Sequence, residues 1–399
     1  MAYSLALIVI CGLLFNWLFE KIKLPGLLGM LIAGVLLGPW GFNLLTADIM
    51  AVSDDFRKIA LIIILLRAGL GLKKETLAKV GPAALRMSII PCILEGSALL
   101  LMAVWVFNMG WIEAGIMGFA IAAVSPAVVV PAMLDYSKRG IGSDKGIPTL
   151  ILAGASVDDI IAITIFTGFL GLYAGDKINL AAGALDVIIS VASGIVLGLV
   201  IGFIFVKFFS RQHMRDTKKV LIILGAAILM TALEDFLKGS FALSSLLGIM
   251  TVGFILLEKL PVASGRIAVK FGKIWILAEI LLFVLVGAKV NIVVMFDAGL
   301  AGLLVIFAGL LLRSIGVLIS LFKCNLNLKE KIFCMIAYVP KATVQAAIGA
   351  VPLAMGVKGG ELILAMAVLS IVITAPLGAI GIRLGAKKLL THPVKSSDG

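Results

Sequence analysis

The sequence predicts an all-α, polytopic membrane protein. About 13 transmembrane helices are expected, as two inverted six-helix repeats with two broken, crossing helices. Three observations carry this expectation. Of the 399 residues, 62% are hydrophobic and 14% charged, against about 25% charged in a soluble domain. The apolar residues fall in continuous runs near the roughly 20 residues that one crossing needs, not in the period-two alternation of an outer-membrane barrel. Finally, short patterns recur along the chain at near-equal spacings of 219 and 218 residues. The longest polar stretches, 40–58 and 207–219, are too short to hold a domain, which excludes a soluble enzyme on a membrane anchor.

In order, the predicted helices are 3–19, 25–40, 56–72, 80–107, 112–135, 146–173, 179–209, 217–236, 240–257, 271–288, 297–323, 330–355 and 361–388. No transit peptide or basic leader is read before the first. The net charge of +12 is not a nucleic-acid signal, because it sits in short loops. Of the 34 basic residues, 24 lie after odd-numbered helices or near the C-terminus, among them Lys73, Lys74, Arg211, Arg215, Lys218 and Lys387. The opposite side has Arg57, Lys58, Lys177, Lys238, Lys289 and Lys358. Positive residues stay inside, so the N-terminus is expected outside and the C-terminus in the cytoplasm, in the plasma or inner membrane. Cys11, Cys92, Cys324 and Cys334 show no metal-like spacing and read as packing residues. His213 and His392 fall in loop or tail, which disfavours a histidine metal site.

The repeat begins with Leu27-Leu28-Gly29, Gly34 and Leu37 in the second helix. It returns as Leu246-Leu247-Gly248, Gly253 and Leu256 in the ninth. Leu66 and Gly69 correspond in the same way to Val284 and Gly287. Equivalent elements are seven helices apart, so the copies cross in opposite directions, an arrangement found in secondary transporters.

Eight charged residues fall inside predicted spans: Arg67, Arg86, Arg313 and Lys341, and Glu95, Asp158, Asp159 and Glu279. Each isolated charge costs about 2.5–3.5 kcal/mol on insertion scales, so such groups face a bundle interior or an aqueous cavity. Arg67 and Arg86 lie near cytoplasmic helix ends and are expected to snorkel. Asp158 and Asp159 sit at the centre of the sixth helix and point about 100° apart, so one can face a cavity while the other turns inward. Carboxylates suit small hard cations such as Na⁺ or Li⁺, which makes this pair the candidate metal-ion ligands. A carboxylate that binds either a proton or a cation provides the competition that exchange requires. The alternative is a structural ion pair.

The fifth helix carries Ser125-Pro126, and the twelfth, its repeat equivalent, carries Pro340-Lys341-Ala342-Thr343. Proline removes a backbone donor and frees a carbonyl. Breaks at matching places in two halves point to a transporter's ion site. Ser125 and Thr343 are expected to line it, and Lys341 to neutralise negative helix ends. Glu95 and Arg313 are also repeat equivalents, so either Glu95 or Asp158 could pair with Arg313. Glu95 is the preferred partner, which leaves Asp158 to local hydrogen bonds or a proton.

The stretches VSPAVVVP (124–131), KGIPTLILAGASVDDIIAIT (145–164) and VPKATVQAAIGA (339–350) resemble the NHA branch of the monovalent cation:proton antiporter superfamily, and the resemblance spans nearly the whole chain. It implies a homodimer in membrane lipid and an elevator-like Na⁺(Li⁺)/H⁺ antiport without cofactor or enzymatic step. It also implies a division into dimerisation parts 1–72 and 179–288 (the latter with a linker helix), transport parts 80–173 and 297–388, and a cytoplasmic tail 389–399. Asp159 matches the family's ion-binding aspartate and Asp158 its neighbour; Glu95 and Lys341 match characteristic positions. The position of a helper lysine in electrogenic relatives is taken by Arg313, which implies electroneutral exchange. The competing readings are a K⁺/H⁺ exchanger or a Na⁺-coupled organic-anion symporter of similar fold. A channel would place its filter on an axis between subunits. An aspartyl protease needs its two carboxylates to share a proton, which adjacent residues on one helix do badly.

Overall fold

The computed structural model describes residues 1–391 except residues 23, 72–73, 176–179, 213, 238–240 and 242. His213, His392, Lys73, Lys177 and Lys238, and the tail beyond Thr391, therefore lie outside the described residues. Among the described residues every regular element is helical. They are α1 (Ala2–Lys21), α2 (Gly26–Leu37), α3 (Ala47–Ala51), α4 (Ser53–Gly69), α5 (Lys74–Phe107), α6 (Trp111–Ile121), α7 (Pro126–Lys138), α8 (Ile147–Tyr173), α9 (Leu180–Arg211), α10 (Asp216–Leu237), α11 (Ser245–Lys259), α12 (Pro261–Lys289), α13 (Ile292–Ser320), α14 (Leu328–Ala337), α15 (Thr343–Ile348), α16 (Val351–Ala354) and α17 (Gly360–Leu389). Among the described residues, eight helices are long and apolar enough to cross a membrane, and shorter apolar helices accompany them. The four cysteines are free thiols.

Two predicted helices are divided. The fifth is α6 and α7 with an extended segment between them, and the twelfth is α14, α15 and α16. The predicted tenth helix starts earlier, as α12, because Pro261 occupies the first turn, where its missing N–H costs nothing. The eleventh starts at Ile292 because the Asn291 side chain accepts from Val293 N at 3.1 Å and Val294 N at 3.4 Å, a helix N-cap. Kinks occur at Gly81 in α5 (φ 44°) and Gly299 in α13 (φ 32°). Both are backbone conformations that favour glycine, and at Gly81 the following Pro82 also disfavours helix.

The chain forms two compact units. One comprises Met1–Phe15, Met30–Glu75 and Thr167–Lys289, and here glycine lets helix backbones touch. A Cβ at Gly34 of α2 would strike Val284 O and lie 3.0 Å from Ala288 N, and one at Gly287 of α12 would strike Leu31 O. The same contact recurs between α4 and α11. A Cβ at Gly253 would lie 2.9 Å from both Leu66 O and Leu70 N, and one at Gly69 would strike Met250 O. Small residues at such crossings are how helices associate in lipid, where burial of apolar surface gives no net drive. In this unit the half-buried Arg67 guanidinium lies 5.5 Å from the Trp275 ring centre.

The second unit comprises Asn16–Gly29, Thr76–Phe166 and Val290–Gly399. One part of it is a buried apolar cluster that includes Met87, Met133, Ile151, Phe333, Ile382 and Leu390. Arg86 is partly buried, with Nη2 3.9 Å from Cys324 Sγ. This unit also holds both divided helices and the charged residues described next.

Candidate ion site

The two gaps in the helices expose backbone groups that a low-dielectric interior must satisfy. In the first, residues 122–125, Val124 N donates to Asp158 Oδ2 at 2.7 Å and Ser125 N to Pro340 O at 2.8 Å. The carbonyls at the end of α6 receive Gln345 Nε2, at 2.9 Å from Ile121 O and 2.8 Å from Ala123 O. Ala122 O accepts from Lys341 Nζ at 3.2 Å and also from Arg313 Nη1. In the second gap, Lys341 N donates to Thr374 Oγ1 at 2.8 Å and Ala342 N to Gln345 Oε1 at 2.9 Å. The Ser125 and Thr343 hydroxyls are 3.4 Å apart. The gaps therefore complete each other, and both hydroxyls lie where they meet.

A five-membered charge cluster is built onto this crossing. Arg313 Nη2 donates to both oxygens of Asp158, at 2.9 and 2.8 Å. Its Nη1 donates to Glu95 Oε2 at 2.6 Å. Lys341 Nζ reaches the same Glu95 oxygen at 2.6 Å. Glu95 partners Arg313 as expected; what differs is that Asp158, expected to make only local hydrogen bonds or to keep a proton, is held by the same guanidinium. A guanidinium has five donors in a planar fork, so Arg313 holds both carboxylates at once.

Asp159 is different. It follows Asp158 on α8 and so points elsewhere, and its Oδ1 is buried without a hydrogen-bond partner among the described residues. It keeps 7% of its surface accessible while Asp158 keeps none. The structure brings Asp158, Asp159, Ser125, Thr343, Arg313, Glu95 and Lys341 into one unit, and it adds two residues that sequence reasoning missed, Gln345 and Thr374. Their role is to satisfy distant backbone, and no local pattern signals that.

Buried carboxylates beside two mutually capped helix breaks, in an all-helical polytopic fold, define a membrane ion transporter. The chain belongs to the sodium/hydrogen exchanger family: the family's transmembrane model matches residues 5–387. Sodium/hydrogen exchanger 9B2 from Homo sapiens is 36% identical over 97% of this chain and 75% of its own length. Sodium/hydrogen exchanger 9B1 from Homo sapiens is 34% identical over 92% of this chain and 73% of its own length. In fold, the chain is similar to the sodium proton antiporter MjNhaP1 from Methanocaldococcus jannaschii. The TM-score is 0.85, with 21% identity over 96% of this chain and 97% of that one.

Proposed function

We propose that Asp159 is the group at which Na⁺ and H⁺ compete in this sodium/hydrogen antiporter. The observation that carries the reading is the division of labour between adjacent carboxylates. Asp158 has both oxygens engaged by Arg313 and the backbone, whereas Asp159 Oδ1 has no partner among the described residues and the residue keeps 7% of its surface exposed. With every group ionised, Glu95, Asp158 and Asp159 face only Arg313 and Lys341, an excess of one negative charge. One proton or one monovalent cation cancels it, and an uncompensated buried charge is costly. The cluster therefore favours loading by one or the other, which is the condition for obligatory exchange.

Ser125 Oγ and Thr343 Oγ1 supply hard oxygen ligands near the helix gaps, suited to Na⁺ or Li⁺. Arg313 stays protonated, so it carries no second proton and one H⁺ moves against one cation. The unit that holds the cluster acts as the transport domain in an elevator-like cycle, and the other, with its glycine-packed helices, as the dimerisation domain of a homodimer. The bias of basic residues supports an external N-terminus and a cytoplasmic C-terminus in the plasma or inner membrane. The test is exchange in proteoliposomes with an internal pH dye, scanning Na⁺, Li⁺ and K⁺. Saturable alkalinisation by Na⁺ and Li⁺, with an apparent affinity that weakens as pH falls, is expected. Cation flux without opposed proton movement contradicts the reading.

A further inference from the structure

Arg313 is held at its edges by hydrogen bonds to Glu95, Asp158 and Ala122 O. Its Nε has no hydrogen-bond partner among the described residues. In-plane bonds at the far nitrogens leave the guanidinium's faces unrestrained. Arg313 Cζ lies over the face of the Tyr338 ring, 5.2 Å from its centre. Tyr338 caps the end of α14, where the twelfth predicted helix first breaks, and is fully buried. Its hydroxyl also has no partner among the described residues, so a hydrogen bond does not account for the residue there. The hydroxyl end lies on Gly154 of α8: a Cβ at Gly154 would strike Tyr338 Oη and lie 3.3 Å from Cζ. Gly154 is one helical turn before Asp158, on the same face of α8. The ring is therefore wedged between the helix that carries the carboxylates and the cation that anchors one of them.

We propose that Tyr338 is a positioning residue, and that its ring, seated on Gly154, holds the Arg313 guanidinium on Asp158 and Glu95 and away from Asp159. This rests on Asp159 being the exchanging carboxylate. Without the ring the guanidinium is free to tilt towards the neighbouring carboxylate, where it competes with Na⁺ as a tethered cation. The expected signature is weaker cation affinity at preserved turnover, unlike the uniform loss that misfolding gives. Gly154 contributes by being small enough to admit the ring.

The experiment compares Na⁺-driven proton exchange in proteoliposomes of wild type, Tyr338→Phe, Tyr338→Leu and Gly154→Ala, with thermal unfolding in detergent as the folding control. Loss of a cation–π contact predicts a KM for Na⁺ about fivefold higher in Tyr338→Leu, at near wild-type kcat. Gly154→Ala shifts KM the same way because it displaces the ring without removing it. Tyr338→Phe keeps the ring and stays within about twofold of wild type. Should Tyr338→Leu not fold, Gly154→Ala and Tyr338→Phe decide alone. A wild-type KM in Gly154→Ala, or a KM in Tyr338→Phe raised as far as in Tyr338→Leu, overturns the proposal. Loss of exchange in Asp159→Asn with no KM change in the ring variants leaves the antiport reading standing and removes this one. Full exchange in Asp159→Asn removes both.

Discussion

Two sets of repeat-equivalent helix crossings, one in each unit, are held together in lipid by different means. In the unit with α4, α11 and α12, glycines bring backbones into contact at two crossings, Gly34–Val284 and Gly253–Leu66, related by the sequence repeat. In the other unit, repeat-equivalent positions carry Glu95 and Arg313, and Ser125 and Thr343, each 218 residues apart and in direct contact. The first solution sets backbone directly against backbone. The second leaves helices broken and needs charges, hydroxyls and an amide to satisfy them. Van der Waals contact at glycine fixes a scaffold, whereas the polar crossing lies beside a carboxylate whose Oδ1 has no hydrogen-bond partner among the described residues, the group proposed to exchange its ion. Substitutions in the two units should accordingly fail differently.

The largest effect is expected at Asp159. Asp159→Asn keeps the shape and removes the ionisable group, so exchange in proteoliposomes should fall to the level of protein-free vesicles while folding in detergent survives. Near wild-type exchange would remove Asp159 from the mechanism and erase the contrast between the units. The scaffold should fail in stability instead. Gly253→Ala puts a methyl 2.9 Å from two backbone atoms that cannot rotate away, an overpacking of about 1–3 kcal/mol. Gly225→Ala, which meets nothing within 4 Å, is the control. A lower melting temperature for the first and none for the second is expected, and equal melting of both would dismiss the close contact as a structural requirement.

A smaller change is expected at the hydroxyl pair. Ser125→Ala removes a hard ligand beside the gap and should raise the apparent KM for Na⁺ about fivefold, the equivalent of one hydrogen-bond-sized contact. An unchanged KM and ion selectivity would return Ser125 to a purely structural role. The smallest effect belongs to the surface. Thr391 Oγ1 donates to Asp144 Oδ1 at 2.7 Å, and this bond holds the exposed Asp144 carboxyl below its usual range. A depressed carboxyl contributes stability above its unfolded value and loses it as pH falls through the folded one. Thr391→Val should therefore melt slightly below wild type at neutral pH, and the gap should close as the pH falls below the ordinary aspartate range. A gap that persists in acid would assign the contact to packing.

Much of this was legible because proline and buried charge are strong local signals. Ser125-Pro126 and Pro340-Lys341 mark both gaps, and Asp158-Asp159 in an apolar run marks the candidate site. What was not legible depends on distance in space. Gln345 reads as a polar residue in a short helix until its amide is found on Ile121 O and Ala123 O. Thr374 likewise lies in an apolar run and is identified only by Lys341 N. The sequence could pair Arg313 with one carboxylate, but how many acceptors a planar fork reaches is a matter of geometry. The kinks at Gly81 and Gly299 went unread, because a glycine in a helical pattern is silent until its φ is known.

The central claim is that Asp159 alone changes its ligand during turnover while Arg313 keeps Asp158 and Glu95 fixed. Its most direct test is Na⁺/H⁺ exchange in proteoliposomes with and without a potassium diffusion potential set by valinomycin. The expected result is a rate that does not respond to the potential in the wild type, and one that does in Arg313→Lys, where a lysine can release its proton when a cation arrives. Wild-type exchange that responds to the imposed potential or generates one would contradict the account.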